Sequence, residues 1–325
     1  MLTKFGLVIM IRMKDKKINS DNSTNFVFES IDSPEKLPTS SDDAKVWQQA
    51  NRTWWEQNPM RYHWKEKVSA EQGSKEFFDE IDRRFFNDAK CGTPSKAIPF
   101  DSLIPFDDLK KQVVLEIGVG CGSHAGLIAP RALSYTGIDL TDYAVKMTTS
   151  RMKLLGLTSV IKRMDAEKME FPDNSFDFVW SWGVIHHSSN TPQVLNEIHR
   201  VLRPGGKAVI MVYYRGWWNY YVFGVLWGIF RGDLFRTRSL SRSTQEHTDG
   251  AIARYYSKSS WVALASRQFS VSNVSVSGNK ADLFPLPAGS IKNLMMKFTP
   301  NVIVSFMLRK FNMGSFVISN LRKDS

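Results

Sequence analysis

Short apolar runs alternate with amphipathic stretches through the middle of the chain, and this alternation limits the fold more than any other feature. Five runs have the length and composition of strands, at residues 112–118, 134–140, 159–165, 176–183 and 207–214. Helical patterns lie between them, and two more strands are expected near 270–277 and 315–320. A strand–helix–strand order requires parallel strands covered by helices on both faces. The sequence therefore predicts an α/β, Rossmann-like, doubly wound sheet of seven strands.

Local signals place the ends of several helices. One helix is expected to open at Thr141, and a second has Thr191 as its N-cap with Pro192 in the first turn. Gly205 and Gly206 are expected to close that second helix and turn the chain into the fifth strand.

Composition divides the chain into three parts. Residues 1–45 are predicted to be a flexible tail, because their latter part is polar and has no sustained period. Residues 46–100 place aromatic side chains at helical spacing, with a break at Asn58–Pro59, and are predicted to form a helical cap. Residues 101–325 are assigned to the α/β domain, interrupted by an insertion at 215–256. We expect the cap and the insertion to cover a substrate, with ordinary core packing of their aromatic residues as the alternative.

A glycine-rich loop follows the first strand, in the segment VVLEIGVGCGSHAG at 113–126. Such a loop directs backbone N–H groups and the positive end of a helix dipole at a ligand. Its glycines, Gly118, Gly120 and Gly122, are spaced more closely than in the GxGxxG dinucleotide pattern, and Glu116 would oppose a pyrophosphate. These features favour a site for a cationic methyl donor and leave a dinucleotide site as the alternative.

Four successive segments resemble the ordered motifs of class I S-adenosylmethionine-dependent methyltransferases. The segments read VLEIGVGCGSHA, YTGIDLT, RMDAEKMEFPDNSFDFVWSWGVIHHSSN and EIHRVLRPGGKAVI. The likeness is greatest to the broad subgroup (methyltransferase type 11-like) that includes the quinone-biosynthesis C-methyltransferases. It implies a mostly parallel sheet with an antiparallel last strand, S-adenosylmethionine as cofactor, and methyl transfer to a small organic or lipid-like acceptor.

The resemblance also implies which residues surround the methionine and ribose parts of the cofactor. Gly118, Gly120 and Gly122 would wrap these parts, with Glu116 near the amino group. Asp139, at the end of the second strand, would accept hydrogen bonds from both ribose hydroxyls.

Further residues are implied at the adenine and at the ammonium. Leu140 would pack on the adenine, Asp165 would accept from its amino group, and Ala166 would supply a backbone N–H. Backbone carbonyls at Ser181 and Trp182 would meet the methionine ammonium.

Two histidines are candidates for a catalytic base, which an oxygen or nitrogen acceptor would need. His186 follows the fourth strand, and His247 lies beside Asp249, which could orient its ring. Structural hydrogen bonding is the alternative for His186. With no HxxxH pair and no cysteine partner, no metal site is predicted.

Charge and cysteine content bear on partners and location. The net charge of +11 leaves a nucleic-acid methyltransferase open, but the segment SWGVIHH lacks the motifs of the base-modifying enzymes. A nicotinamide-dependent oxidoreductase is the other alternative. The two cysteines, Cys91 and Cys121, indicate no disulfide framework, so a cytoplasmic location is expected.

Two apolar segments with basic flanks, 217–232 and 291–312, raise a further alternative. Burial against the sheet is the favoured interpretation, and peripheral contact with the inner face of a membrane is the alternative. The oligomeric state is left open.

Overall fold

An eight-stranded mixed sheet lies at the centre of the computed structural model, which describes residues 36–62, 67–284, 286 and 289–324. The strands are β1 Val113–Ile117, β2 Ser134–Asp139, β3 Val160–Arg163, β4 Phe176–Trp182, β5 Leu202–Tyr214, β6 Tyr255–Tyr256, β7 Ser270–Ser277 and β8 Phe316–Arg322. Their order is β3-β2-β1-β4-β5-β8-β7, with β6 paired to β5. β8 runs antiparallel to β5 and β7, and the other pairings are parallel. The predicted doubly wound fold with an antiparallel last strand is confirmed, while the two-residue β6 makes eight strands instead of seven.

Helices cover both faces of this sheet. Within the described residues the α-helices are α1 Ser41–Gln57, α2 Lys75–Ala89, α3 Ser123–Ile128, α4 Asp142–Leu154, α5 Thr191–Val201, α6 Gly224–Phe230, α7 Asp233–Thr237, α8 Leu240–Gln245, α9 Lys258–Ala265, α10 Ser290–Phe298 and α11 Asn301–Lys310. Shorter 3₁₀ turns lie at Leu109–Lys111, Ile185–His187 and Lys280–Leu283, and Trp217–Phe223 is a π-helix.

The two-residue period of the strands divides the core into two layers. Leu115 and Ile117 of β1 pack with α5 and α9 on one face, through residues such as Ile198 and Trp261. Val114 points to the other face, where it packs with residues of α3 and α4. Both layers are apolar, which explains why the central strands read as nearly continuous hydrophobic runs.

The fifth strand begins earlier than the sequence indicated. α5 ends at Val201 and β5 starts at once with Leu202, which pairs with Phe176; Lys207 then pairs with Phe178. The residues between form a bulge, in which Gly205 takes a φ of +77°. The prediction that Gly205 and Gly206 close a helix is therefore wrong. They form an irregularity within a strand, where glycine tolerates the positive φ.

The helix caps agree with the sequence in one case and differ in the other. The side chain of Thr141 accepts from the backbone N–H of Ala144, as expected for the cap of α4. At α5 the cap is Asn190, whose side chain accepts from Gln193, and Thr191 is the first helical residue. The expected Thr191 cap is thus displaced by one residue.

Two helices form the N-terminal cap. α1 ends at Gln57 with Asn58 as its C-cap, so the predicted break is confirmed. It begins at Ser41, inside the segment assigned to the tail, because Ser40 supplies an N-cap to Asp43. Residues 1–35 of that tail lie outside the described residues.

The two apolar segments form helices that are covered to different extents. The π-helix with α6, α7 and α8 occupies the insertion after β5, and α10 and α11 lie between β7 and β8. Most side chains of 217–232 are half-buried, whereas most of those of 291–312 are exposed, so the expected burial holds in part for the first segment and fails for most of the second. Among the described residues, no helix combines the length and the apolar character that crossing a bilayer would need.

Candidate active site

The loop between β1 and α3 is shaped by its glycines. Gly118, Gly120 and Gly122 all have positive φ angles, of 82°, 54° and 77°. A Cβ at Gly118 would lie 2.1 Å from a methyl group of Val184, so this glycine permits close contact with the segment after β4. A Cβ at Gly120 would meet no heavy atom within 4 Å. Gly120 therefore leaves open space above the loop.

Asp139 accepts one hydrogen bond from this loop and two from Thr141. Its Oδ2 accepts from the backbone N–H of Gly120 at 3.1 Å, and its Oδ1 accepts from the N–H and hydroxyl of Thr141 at 3.0 and 2.8 Å. Burial raises the pKa of the Asp139 carboxyl, and these hydrogen bonds oppose that rise. The structure thus brings together the loop and the acid that the sequence assigned to one ligand.

A cavity of about 440 Å³ opens at the carboxyl ends of the central strands. Six of the predicted cofactor residues line it: Gly118, Gly120, Asp139, Leu140, Ala166 and Trp182. Four do not: Glu116, Gly122, Asp165 and Ser181. The carboxyl ends of parallel strands are the usual place for a ligand in such a sheet.

Glu116 lies in the sheet and not at the cavity wall. Its side chain is 1% exposed, and its Oε2 accepts from the hydroxyl of Tyr135 at 2.7 Å. Burial raises the pKa of the Glu116 carboxyl to about 8. A neutral carboxyl at pH 7 cannot offer a full negative charge to a cationic ligand.

Asp165 connects the cavity wall to the cap. Its Oδ1 accepts from the Gln48 amide of α1 and from the N–H of Glu167, both at 2.8 Å. Burial raises the pKa of this carboxyl. Gln48 and Ala166 line the cavity, so Asp165 stands directly behind residues that do.

Ser181 and Trp182 end β4 beside the loop. Ser181 is fully buried, and its hydroxyl has no hydrogen-bond partner within the described residues. Trp182 lines the cavity and stacks parallel to Trp180, with ring centroids 5.5 Å apart.

The cap helix α1 is fastened over the ends of β2 and β3. Glu56 accepts from the backbone N–H groups of Asp142 and Tyr143 at 2.8 and 3.0 Å, which places a carboxylate at the N-terminus of α4. Arg52 donates to the Asp142 carboxylate at 2.9 Å. A negative charge at a helix N-terminus is favourable, so α1 forms one wall of the cavity through its own attachment to the sheet.

The histidine predictions need correction. His186 is fully buried, burial lowers its pKa well below the usual value, and it does not line the cavity. Its ring packs on Tyr213, with centroids 3.9 Å apart. The neighbouring His187 lines the cavity instead, and its Nδ1 lies 2.6 Å from the carbonyl of Ile252.

His247 is also outside the cavity wall. Its Nε2 lies 2.5 Å from Oδ2 of Asp233, so the expected pairing with Asp249 is wrong. Burial lowers the pKa of His247. Asp249 does line the cavity and accepts from the hydroxyl of Tyr213 at 2.7 Å.

The sequence missed the Tyr213–Asp249 pair and Gln48, whereas Trp55 and Tyr62 are among the aromatic residues of the predicted cap. The two-residue period of β5 could have indicated Tyr213, because Met211 and Tyr213 lie on the same side of that strand and both line the cavity. No local pattern indicated Asp249, because it lies 36 residues after Tyr213 and several helices of the insertion separate the two in the chain. Gln48, Trp55 and Tyr62 of the cap also line the cavity.

One group of possible metal ligands occurs within the described residues. Ligand atoms of Asp233, Glu246 and His247 lie within 4.8 Å of one another. Arg236 already donates to both Asp233 and Glu246. This guanidinium supplies the positive charge at the group. The absence of a metal site stays a prediction.

The fold and the cavity have the features of a class I S-adenosylmethionine-dependent methyltransferase domain. Residues 115–210 match the family model described as a methyltransferase domain. This segment of the chain is therefore a methyltransferase domain of the S-adenosylmethionine-dependent, type 11 kind, as the four motifs indicated.

Two curated relatives align over this segment. The chain is 35% identical over 115 residues to phosphoethanolamine N-methyltransferase 2 of Caenorhabditis elegans, covering 34% of this chain and 26% of that protein. It is 41% identical over 102 residues to phthiotriol/phenolphthiotriol dimycocerosates methyltransferase of Mycobacterium tuberculosis, covering 30% of this chain and 37% of that protein. The chain thus spans between a quarter and two fifths of these relatives.

A solved structure supports the fold over a longer stretch. It is the complex between the Haloferax volcanii Trm112 methyltransferase activator and a methyltransferase, with a TM-score of 0.50. The match covers 80% of this chain and 100% of that chain at 17% identity. This likeness concerns the fold alone.

Proposed function

We propose that this protein transfers the methyl group of S-adenosylmethionine to a small, apolar or lipid-like acceptor. The observation that carries the proposal is the cavity of about 440 Å³, which is bounded by the glycine loop on one side and by apolar and aromatic side chains on the other. Its wall is mostly apolar, with a few polar groups from different elements. Small-molecule sites commonly have this composition.

The loop side of the cavity fits the cofactor. Gly120 leaves open space where any other residue would place a Cβ, and Asp139 sits at the end of β2 with its carboxylate beside the loop. We assign the backbone at Gly118 and Gly120 to the methionine part, Asp139 to the ribose hydroxyls, and Leu140 with Ala166 to the adenine. Asp165 acts on the adenine side through Gln48, and Glu116 and Ser181 support the strands beneath.

The opposite side of the cavity fits an apolar acceptor. Trp55, Met211, Tyr213 and Phe316 line it, together with His187. The bound sulfonium supplies an activated methyl group, so these residues need only align the acceptor and exclude water. The Asp249 carboxylate, hydrogen-bonded to Tyr213, is the group placed to take a proton from an oxygen or nitrogen acceptor.

The names of the relatives agree with this acceptor class. One relative is named for phosphoethanolamine and the other for the phthiotriol dimycocerosates. They support a small or lipid-like acceptor without choosing between the two.

The proposal is tested by binding and by product analysis. Calorimetry on the full chain should detect S-adenosylmethionine and its demethylated product, and should detect no NAD. Incubation with the donor and a cellular lipid and metabolite extract should yield a species that gains one methyl group by mass spectrometry. Asp139→Asn changes a residue assigned to the cofactor, so this variant should bind the donor more weakly than the unsubstituted chain. Binding of NAD in preference to the donor would contradict the proposal.

A further inference from the structure

Helices α10 and α11 leave an apolar face without cover. α10 has no buried residue, and α11 buries only Val304 and Leu308, which pack near Cys91. On the outer side Phe298 is 72% exposed and Val302 81% exposed. The other exposed apolar residues of this face are Ile291, Leu294, Met295, Ile303, Phe306 and Phe311. These residues recur every three or four positions along each helix, so each helix presents one apolar side to the outside. Exposed apolar residues in such a set mark an interaction surface, unlike single ones; we call this set the α10–α11 face.

The face continues onto the insertion that follows β5. The indole N–H of Trp217 donates to the carbonyl of Phe311 at 2.8 Å, and the Asn219 amide donates to the carbonyl of Met313 at 2.5 Å. Farther along the insertion Phe230 and Phe235 are exposed. The two interruptions of the α/β chain therefore meet, and both present apolar side chains to the outside.

The charge around the α10–α11 face has one sign. The sequence contains no acidic residue between Asp282 and Asp324. Lys297, Arg309 and Lys310 are exposed, and none of them forms an ion pair within the described residues. A second copy of this chain would bring the same cations against these, which is repulsive. An anionic bilayer offers both the apolar interior and the opposite charge.

We propose that the α10–α11 face docks on the surface of an anionic lipid bilayer. Its apolar side chains enter the boundary between headgroups and acyl chains, and its cations lie at the headgroups. The occupant is a lipid surface and not a protein partner, because cations without an ion pair among the described residues stand in the last turn of each helix, next to the exposed apolar residues.

A short segment of the chain connects the α10–α11 face to the cavity, so docking would place the cavity near the bilayer. Ser277, Gly278 and Asn279 line the cavity, and the chain continues from them through the turn Lys280–Leu283 towards α10. The indole N–H of Trp218 donates to the carbonyl of Asp282 in that turn, at 3.0 Å. A lipid-like acceptor could therefore pass from the bilayer to the acceptor side of the cavity. This last step rests on the proposed function, whereas docking does not.

Vesicle co-sedimentation of the full chain tests the docking, with no donor or acceptor present. Vesicles of phosphatidylcholine mixed with phosphatidylglycerol should bind the protein, and binding should weaken in high salt. The double substitution Phe298→Glu with Val302→Glu should lower the partition coefficient by about tenfold or more. Replacing Lys297, Arg309 and Lys310 by Gln should lower it about fivefold for each charge removed.

A matched control separates this face from exposed apolar residues in general. Leu133, which precedes β2, is 65% exposed and lies outside the face, so Leu133→Glu should leave vesicle binding unchanged. The variants differ from the unsubstituted chain only at the stated positions and all contain residues 1–35. A difference in vesicle binding between them is therefore caused by the substitutions. Circular dichroism of each variant should match the unsubstituted chain.

Two results would overturn the proposal. One is vesicle binding by the double variant that equals that of the Leu133→Glu chain. The other is a dimer in sedimentation velocity that the double substitution dissociates while vesicle binding is absent, which would assign the face to a second copy. Because donor binding is measured separately, a failure of docking leaves the methyltransferase proposal standing.

Discussion

Two glycines with left-handed backbones allow the effect of a substitution on stability to be distinguished from its effect on ligand binding. Gly120, in the loop, and Gly156, after α4, have φ angles of 54° and 65°, and a Cβ at either would meet nothing within 4 Å. They differ in that only Gly120 lines the cavity.

We expect Gly120→Ala and Gly156→Ala to lower the free energy of unfolding by similar amounts, about 1 to 2 kcal/mol, because both force a side chain into the left-handed region. Only Gly120→Ala should weaken binding of S-adenosylmethionine, by about tenfold or more, because its methyl group enters the cavity. Thermal unfolding and calorimetry measure the two effects. Equal affinity in both variants would place the donor elsewhere.

Glu116 provides a pH-dependent test at the residue scale. Burial raises its pKa from a usual value of 4.5 to about 8, so the folded chain binds this proton more tightly than the unfolded chain. Its contribution to stability is therefore complete below pH 4.5 and is lost as the pH rises through 8.

Glu116→Gln should flatten the dependence of unfolding free energy on pH over this window, by on the order of a few kcal/mol. The amide can still accept from Tyr135, so the packing is kept. Urea unfolding at a series of pH values measures the effect. Glu76→Gln, an exposed change at the start of α2, is the control and should keep the slope of the unsubstituted chain. An unchanged slope in Glu116→Gln would mean that Glu116 is ionised in the folded state.

At the scale of elements, the structure shows how a helix from the cap becomes a wall of the site. α1 contributes Gln48 and Trp55 to the cavity, and Glu56 fixes it to the N-terminus of α4. The sequence predicted a helical cap but could not show which end of the sheet it covers, because no local pattern records contacts 86 residues apart.

Glu56→Ala should lower the unfolding free energy by about 1 kcal/mol, because two N–H groups at the start of α4 lose their acceptor. It should also weaken donor binding, since Asp139 and Leu140 lie just before that helix. Gln49→Ala, on the exposed side of the same helix, should change neither quantity. Fluorescence-monitored urea unfolding and calorimetry distinguish the two chains. Donor affinity that is equal in both would show that the attachment of α1 does not shape the site.

At the scale of the whole molecule, the cap and the sheet share one hydrophobic core. Phe85 of α2 belongs to the same buried cluster as Val114 of β1 and Trp180 of β4, and its ring stacks near that of Phe100. The sequence assigned the cap and the α/β domain to different parts of the chain, yet the packing joins them.

We therefore expect a single transition in differential scanning calorimetry. Saturating S-adenosylmethionine should raise the temperature of that transition as a whole. At a free concentration one hundred times Kd, binding adds about 2.7 kcal/mol to the free energy of unfolding. A chain that begins at residue 94, and so lacks the cap helices, should fail to show a cooperative transition. Two separate transitions in the full chain would mean that the cap folds as an independent unit.

The sequence alone determined the order of strands and helices, the glycine loop and the acid at the end of β2, because each depends on residues close in the chain or on a strict two-residue period. It also indicated the class of cofactor, through spacing that admits a ligand against bare backbone. Only the tertiary structure decided that His187 and not His186 faces the cavity, that Asp249 meets Tyr213 and not His247, and that α10 and α11 stay largely exposed. These outcomes depend on how distant segments pack, and neighbouring residues of similar chemistry can then point to opposite sides of the same turn.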